Sequence, residues 1–417
     1  MLTALVAALL AQPAPPPLTW ESLPQRIRDE AAAGFVGVVL VVRDGAIVLH
    51  EAHGLANREK SIAMKPDTVL GIGSTPIDFT KVAILQLAER GKLSLDDPVG
   101  KFFANVPEDK RSMTLDHLMT GRSGLPDFHD VPADRDKDHS WIDRDEAVRR
   151  ILGATLLFPP GKRREHSHSG FGLLAAVVEI ASGKTYPEYV RENVFAPAGM
   201  TDSGFFGEPI AEERLAIGYG PRQDGTINAP PFWGKTSWLV MGSGGQVATA
   251  ADMNRFAEAL HAGKLVSREN LKRIVGAAPD MLVGGDMHGY EIMYTLGAKS
   301  RFVVMSNAGS PRTIPALRRL GRDLAQLASG RATARFALGV EMNVDAGQVI
   351  VARVVPGSAA ERDGIRVGDR LITANDAPLG DDAGFALQDM LASGEPVRFV
   401  LERDGKRIEM SVKPNPK

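Results

Sequence analysis

The 417-residue chain contains no cysteine. This excludes a disulfide framework, a lipid-modified cysteine and a metal site built on thiolates. An excess of charge is also missing, since 49 basic and 51 acidic residues give a net charge of −2. Nothing in the electrostatics therefore favours binding to nucleic acid or to an anionic membrane surface. Hydrophobic residues make up 44% of the chain, which is ordinary for a globular protein, and the length favours two or more domains.

Long apolar runs are absent after residue 10, so no further membrane span is expected. Residues 1–10 are apolar, Ala11 offers a small residue before a cleavage site, and residues 12–17 are a proline-rich spacer. This pattern predicts a secretory signal and spacer over residues 1–17, and hence a periplasmic or secreted protein, although the segment is short and lacks a basic residue at its start. The alternative is a frayed N-terminal extension that follows a misassigned start.

Local patterns predict how the chain begins after this segment. Residues 20–33 have the spacing of an amphipathic helix, and two β-branched runs, 37–42 and 47–49, flank an Asp-Gly turn that is typical of a hairpin. A largely apolar helix should then begin near Pro76, since proline is tolerated in a first turn, and end at Gly91.

Several segments resemble the serine β-lactamase and penicillin-binding-protein family, and their order and spacing carry the resemblance. They are Ser74 with Phe79 and Thr80, and residues 91–99, 113–125, 158–161, 186–201 and 244–253. The resemblance implies an α/β fold over residues 18–330, with an antiparallel sheet flanked by helices and joined to a helical subdomain. It also implies hydrolysis of an amide or ester through an acyl-serine on a β-lactam, a peptidoglycan peptide or a small ester.

The C-terminal part resembles a bacterial PDZ domain over residues 334–415, after a linker near residues 329–330. The resemblance rests on Pro356-Gly357-Ser358, on residues 363–372 and on a closing hairpin over 397–407. It implies that Leu338, Gly339 and Val340 belong to a loop whose N–H groups hold a peptide's C-terminal carboxylate. The expected partner is thus a peptide or protein C-terminus; the alternative is a module that packs against its neighbour and binds nothing.

The first family motif, Ser-x-x-Lys, is incomplete in this chain. Ser74 matches the nucleophile, but Ile77 stands where the family has a lysine, one helical turn from the serine. Isoleucine cannot take a proton. Lys81 is seven residues from Ser74, about 10.5 Å along a helix, and is a poor substitute.

The second and third motifs also depart from the family. The positions of the family's Tyr-x-Asn carry His166 and His168. Histidine is a competent base near neutral pH, so Ser74 and His166 are candidates for a rebuilt catalytic pair, with His168 as a further candidate. A disused cleft and a metal held by the two histidines are the alternatives, although no further ligand stands at a usual spacing. In the third motif, Val283 replaces the polar residue before Gly284-Gly285, and Lys235-Thr236-Ser237 lies too early in the sequence to replace it.

These departures predict an exported homologue that is non-catalytic or weakly active and binds peptides or partner proteins. The alternative is an active serine hydrolase that uses Ser74 with His166 as its base. The cleft is expected to bind a small amide, an ester or a cell-wall peptide, and no cofactor, metal or nucleic acid is expected.

Overall fold

The computed structural model describes residues 18–135, 137–220, 228–275, 283–308, 313–329, 336–345, 348–379 and 394–416, together with residues 387, 390 and 391. The chain divides into two compact units, Met1–Arg331 and Ala332–Lys417. No helix among the described residues is both long enough and apolar enough to cross a membrane. The predicted signal segment over residues 1–17 and the linker at residue 330 lie outside the described residues.

The first unit combines a main sheet, several short strands and a group of helices. Its helices are α1 Leu23–Ala32, α2 Pro76–Glu89, α3 Leu115–Met119, α4 Arg144–Gly153, α5 His168–Ser182, α6 Tyr186–Val190, α7 Ala196–Ala198, α8 Ala250–His261, α9 Arg268–Val275 and α10 Thr313–Ser329. Its strands are β1 Gly37–Arg43, β2 Ala46–His53, β3 Leu55–Asn57, β4 Ile62–Ala63, β5 Leu70–Gly71, β6 Gly204–Phe205, β7 Gln246–Ala248, β8 Val283–Met287, β9 Tyr290–Tyr294 and β10 Arg301–Ser306.

The main sheet is antiparallel and has the strand order β2-β1-β10-β9-β8. Its first and last segments therefore meet in the middle, since β1 pairs directly with β10. Strand β8 lies at one edge and leads through a tight turn into β9, and Met287 pairs with Tyr290 across this turn. The predicted hairpin at Asp44-Gly45 is present.

Both faces of this sheet are covered, because β1 is apolar on both sides. Val39 and Val41 face a core shared with Ile27 of α1 and Leu320 of α10. The alternate residues Val38, Leu40 and Val42 face a larger core that includes Phe79 of α2 and Phe256 of α8. Alternation of side chains along a strand thus produces a three-layer arrangement of helices, sheet and helices.

The second unit contains a sheet with the order β12-β13-β14-β16-β17 and a short pair formed by β11 and β18. Its elements are β11 Phe336–Ala337, β12 Val340–Asp345, β13 Gln348–Val354, α11 Ala359–Asp363, β14 Arg370–Ala374, β15 Ala377–Pro378, β16 Val397–Arg403, β17 Lys406–Val412 and β18 Asn415–Pro416. The predicted hairpin near residues 397–407 is formed by β16 and β17. Most residues between 380 and 393 lie outside the described residues.

Candidate active site

Ser74 lies between a short strand and the start of a buried helix. Strand β5 pairs with β7, and the chain then turns through Gly73, whose φ of +50° is a left-handed conformation that favours glycine. Helix α2 begins two residues after Ser74 with Pro76, as the sequence predicts. The hydroxyl therefore lies at the amino end of a helix, where the helix dipole favours developing negative charge.

The Ser74 hydroxyl is hydrogen-bonded to a histidine. Its Oγ lies 3.0 Å from Nε2 of His168, the first residue of α5. The other ring nitrogen of His168, Nδ1, lies 2.6 Å from Oδ2 of Asp127. The same carboxylate oxygen accepts the backbone N–H of His168 at 2.9 Å. A nucleophile, an imidazole and a carboxylate are thus connected in the order of a Ser-His-Asp catalytic triad.

Asp127 also contacts a second histidine through its other oxygen. Its Oδ1 accepts the backbone N–H of His129 at 3.1 Å and faces the Nδ1 atom of that residue at 2.8 Å. The Nε2 atom of His129 lies 3.0 Å from Oδ1 of Asp138. Ser74, His168, Asp127, His129 and Asp138 therefore form one continuous series of hydrogen bonds, which we call the Ser74 network.

The charges in the Ser74 network follow from its geometry. Burial alone would raise the pKa of the Asp127 carboxyl, but hydrogen bonds from His129 and His168 hold this pKa well below its usual range. Burial alone would lower the pKa of His129, but the carboxylates of Asp127 and Asp138 raise it to about 10. Asp127 is therefore an acceptor only, and its hydrogen bond with His168 requires a proton on Nδ1. This leaves Nε2 free to accept the Ser74 proton.

The structure brings Ser74 together with His168, the further candidate, and within the described residues it shows no hydrogen bond between Ser74 and His166. The hydroxyl bonds to His168 because His168 begins α5 and is held through both its N–H groups by Asp127. His166 lies two residues before the helix and is exposed at the cavity, with its ring 4.6 Å from that of His168. Surrounding protein and the neighbouring His168 lower the pKa of His166.

Two residues that follow Ser74, Ile77 and Lys81, have structural roles. Ile77 packs against the core and lines the cavity beside Ser74. The Lys81 ammonium is 3.0 Å from Oδ1 of buried Asp78, and the Tyr294 hydroxyl donates to Oδ2 of Asp78 at 2.7 Å. Burial and the Asp78 charge raise the pKa of Tyr294 well above its usual value, so this phenol stays protonated. Lys81 and Tyr294 thus stabilise a buried carboxylate.

The third motif lies at the edge of the sheet. Strand β8 begins at Val283, and the side chains of residues 283–287 lie outside the described residues. The Lys235-Thr236-Ser237 segment lies elsewhere in the fold: the Thr236 hydroxyl donates to the Gly245 carbonyl at 2.8 Å, and the Lys235 amine lies over the Trp141 ring.

Three side chains of the Ser74 network are of types that also bind metal ions. Ligand atoms of Asp127, His129 and His168 lie within 4.8 Å of one another. Both Nδ1 atoms face carboxylate oxygens at ordinary hydrogen-bond distances. Hydrogen bonding therefore accounts for this cluster, and no ion is needed to hold the three side chains together.

The cavity beside Ser74 has a volume of about 330 Å³ and two chemically different parts. The apolar part is formed by Ile77, Met119, Phe171, Ile274, Val275 and Leu296. The polar part is formed by Ser74, Asp78, Lys81, Thr120, Gly121, Arg164, His166, His168 and Tyr294. The nucleophile thus lies where an apolar group and a polar group of one small molecule can be accommodated together.

The predicted peptide-binding loop of the second unit lies beside β12, which forms one edge of its sheet. The Leu338 side chain is buried in the core, so only its backbone can face a ligand. Gly339 has a φ of +78°, and a Cβ atom placed on it would lie 2.2 Å from Cβ of Ser358. Peptide binding by Leu338, Gly339 and Val340 stays a prediction.

Sequence reasoning missed Asp127, His129 and Asp138. Asp127 lies 41 residues before His168, and no spacing rule connects the two. The available signal was the Asp-x-His pair at Asp127 and His129 ahead of a second pair, His166 and His168. An acidic residue that caps a turn, as Asp127 does for residues 128–130, is common enough to carry little information alone.

Two family models match the chain. The Beta-lactamase model matches residues 23–314 and the PDZ domain model matches residues 337–413. PbpX of Bacillus subtilis, provisionally named a penicillin-binding protein, is 31% identical over 241 residues, 58% of this chain and 59% of that protein. Esterase EstB of Burkholderia gladioli is 34% identical over 213 residues, 47% of this chain and 52% of that protein. The matched region thus spans only about half to three-fifths of these relatives.

The fold is also shared with solved structures. A penicillin-binding protein from Bacillus halodurans superposes with a TM-score of 0.59 at 27% identity, over 72% of this chain and 98% of that one. The predicted fold class and family are confirmed. Because the family model covers more than half of the sequence, the chain belongs to the β-lactamase family of serine hydrolases and carries a PDZ domain after its β-lactamase-like unit.

Proposed function

We propose that this protein is an active serine hydrolase that cleaves an ester or amide through an acyl-serine on Ser74, with His168 as its base. The observation that carries the proposal is the hydrogen bond of 3.0 Å between Ser74 Oγ and His168 Nε2. The bond of 2.6 Å between His168 Nδ1 and Asp127 supports it, since it fixes the tautomer that a base needs. The proposal replaces the lysine of the family motif with a histidine from another helix.

Acylation begins when Ser74 Oγ attacks the carbonyl carbon of the substrate and its proton passes to His168 Nε2. Asp127 stabilises the imidazolium that forms. The tetrahedral intermediate then collapses: the bond to the leaving group breaks, and His168 gives its proton to the departing alcohol oxygen or amine nitrogen. For deacylation, His168 takes a proton from water, the hydroxide attacks the acyl carbon, and Ser74 recovers its proton as the acid product leaves.

Negative charge that develops on the substrate oxygen during the reaction can be stabilised at the start of α2. The first turn of a helix carries the positive end of its dipole. In α2, Pro76 has no N–H, and the N–H groups of Ile77 and Asp78 donate to the carbonyls of Ser74 and Thr75. Ser74 lies two residues before this helix. The dipole of α2 therefore favours an oxyanion at this position, and stabilisation of that charge is usually a large part of acyl-transfer catalysis.

The cavity favours a compact substrate with an apolar acyl group. Ile77, Ile274 and Leu296 line one part of it, and a volume of about 330 Å³ suits a small molecule. An ester needs less help in leaving than an amide, because its alcohol is the better leaving group. We therefore place small carboxylic esters first among the substrates and amides, including β-lactams and peptidoglycan peptides, second.

We also propose peptide binding by the PDZ domain and export of the protein. PDZ domains hold a peptide as an added strand at a sheet edge, and β12 forms such an edge. We propose that backbone N–H groups of Leu338, Gly339 and Val340 hold a C-terminal carboxylate there. The apolar run over residues 1–10 supports export to the periplasm or the outside of the cell.

Labelling with a fluorescent fluorophosphonate, which phosphonylates activated serines, tests the proposal. The wild-type protein should be labelled, Ser74→Ala should not, and His168→Gln should be labelled at least 100-fold more slowly. His166→Gln is the matched control, since it removes an imidazole from the same cavity and should retain labelling within about tenfold. Hydrolysis of p-nitrophenyl acetate and butyrate should follow the same order.

The competing function, a binding protein without catalysis, is motivated by Ile77 and Val283 in place of polar family residues. Wild-type protein that resists labelling and leaves both esters intact would establish that alternative and overturn ours. Equal losses in His166→Gln and His168→Gln would instead show that the Ser74–His168 bond is not the functional pair.

A further inference from the structure

Asp127 is shared by two histidines, and only one of them faces the nucleophile. His168 lies on the side of Oδ2 and His129 on the side of Oδ1, with ring centroids 5.1 Å apart and nearly perpendicular. Four N–H groups point at this carboxylate: two from His168 and two from His129. A carboxylate held in this way cannot rotate without breaking several bonds at once.

The position of His129 between two acids fixes its charge. Its Nδ1 lies 2.8 Å from Asp127, and its Nε2 lies 3.0 Å from Asp138. A carboxylate only accepts hydrogen bonds, so both ring nitrogens must carry protons for both bonds to form. His129 is then an imidazolium between two carboxylates, and the three groups together carry one net negative charge.

His129 is held in place from several directions. Its ring packs on Phe128, with centroids 3.9 Å apart, and its carbonyl oxygen accepts the Nε–H of Arg135 at 3.2 Å. Asp127 caps the turn that contains it, through the His129 backbone N–H. These contacts fix the His129 ring next to Asp127.

We propose that His129 and Asp138 form a second, charged histidine–aspartate pair that positions Asp127 and sets the pH range in which His168 acts as a base. This inference rests on the proposed function of Ser74 and His168. His129 and Asp138 are positioning residues, because they act on the reaction through Asp127. The cation offsets part of the Asp127 charge, which makes the His168 imidazolium less stable than a lone carboxylate would make it.

Other titratable and charged groups lie near the Ser74 network. They are His166 beside His168, Lys81 in the cavity, Arg135 on the His129 carbonyl, and His288, whose charge lowers the pKa of Asp138. The positive charges on Lys81, Arg135 and His129 disfavour an imidazolium at His168, whereas Asp127 and Asp138 favour it. Removal of His129 should therefore favour the imidazolium form of His168, and removal of Asp138 should disfavour it.

The kinetic test uses the pH profile of kcat/KM for p-nitrophenyl acetate. Removal of the cation in His129→Gln should move the acid limb, where His168 gains its proton, to higher pH by about one unit. Asp138→Asn retains a hydrogen-bond acceptor but removes a negative charge, so it should move the same limb to lower pH. His53→Gln is the control, since His53 also contacts an acid, Glu51 on β2, at 3.5 Å and should leave the profile unchanged.

Loss of rate without movement of the acid limb, or movement in the same direction in both variants, would overturn the proposal and leave a structural role only. If the esters are poor substrates, the pH dependence of fluorophosphonate labelling gives the same comparison. Wild-type protein that is neither labelled nor active would count against the proposed hydrolase and against the inferred role of the pair in its catalysis.

Nuclear magnetic resonance of ¹⁵N-histidine-labelled protein tests the charged pair without any reaction. At pH 8 one histidine should show two protonated ring nitrogens, and His129→Gln should remove that signal. In Asp138→Asn the same ring should lose a proton at lower pH than in the wild type. A neutral His129 ring at pH 8 would overturn the inference even if Ser74 is fully active. Unchanged spectra and activity in a metal chelator are also expected, and a chelator that alters both would identify a metal site instead.

Discussion

Asp127 accepts two hydrogen bonds from His168, one from the backbone N–H at 2.9 Å and one from Nδ1 at 2.6 Å. The same carboxylate therefore holds the first residue of α5 and orients the ring that faces Ser74. A substitution of Asp127 should therefore weaken both the start of α5 and the action of His168 as a base. The effect on catalysis should be much larger than the effect on stability.

Asp127→Asn should reduce kcat for ester hydrolysis by roughly 10²–10⁴-fold, because the amide cannot stabilise an imidazolium and can select the wrong tautomer of His168. The cost in stability should be small in comparison, about 1–2 kcal/mol, because an asparagine can still cap the turn and the helix start. Steady-state kinetics and urea unfolding of the same preparation measure both. A loss of activity that merely tracks unfolding would contradict the catalytic role.

Ile77→Lys restores the residue of the family motif but should not improve the enzyme. The new ammonium would be placed where an isoleucine packs against the core, which should cost about 1–3 kcal/mol. Its charge would also disfavour a proton on neighbouring His168. Ile77→Met is the control for the change of shape, since methionine adds length without charge. A faster labelling of Ser74 in Ile77→Lys would show that the site still works with a lysine base.

The stability of the protein should depend on pH through His129. Its pKa is about 10 in the folded protein and about 6.5 in an unfolded chain. The stabilisation is therefore complete below pH 6.5 and is lost as the pH rises towards 10. Nearly half of the ring is exposed, so solvent screens part of the effect. The difference in unfolding free energy between wild type and His129→Gln should shrink from pH 6 to pH 10; a constant difference would contradict a raised pKa.

In the PDZ domain, Gly339→Ala should be far more disruptive than Gly357→Ala. Both glycines have a positive φ, +78° and +74°, so both substitutions carry backbone strain of about 1–2 kcal/mol. Only at Gly339 would the new Cβ meet an atom, Cβ of Ser358, whereas Gly357 has open space within 4 Å. Thermal unfolding and binding of a fluorescent peptide with a free C-terminus should both be impaired in Gly339→Ala. An amidated peptide controls for carboxylate recognition, and equal effects of the two substitutions would contradict the close contact.

Much of the fold could be predicted because local patterns and family motifs agree. The apolar run of β1, the Asp44-Gly45 turn and the start of α2 at Pro76 each follow from short-range rules. Strand β8, which precedes the last two strands of the main sheet, contains the third-motif position Val283-Gly284-Gly285. These features depend on a few neighbouring residues, so a single sequence contains enough information to predict them.

The active-site pairing could not be predicted in the same way. His166 and His168 are equivalent as bases in the sequence, and the choice depends on where α5 begins. That point is set by Asp127, which is distant in sequence, and by the Ser167 hydroxyl, which donates to the Pro126 carbonyl at 3.0 Å. Tertiary packing decides such contacts, and a motif comparison that looks only for the family's lysine and tyrosine overlooks them.

Because position 77 holds an isoleucine, the proposed base lies on a different helix from the one that follows the nucleophile. This affects how the site loses activity as the protein unfolds. In the family motif, nucleophile and base lie on one helix and move together. Here Ser74 precedes α2 and His168 begins α5, so their distance depends on the packing of two helices and on the first turn of α5. Fraying of that turn needs less free energy than global unfolding. We therefore expect urea to abolish Ser74 labelling at lower concentrations than those that unfold the molecule, so that inactivation precedes denaturation.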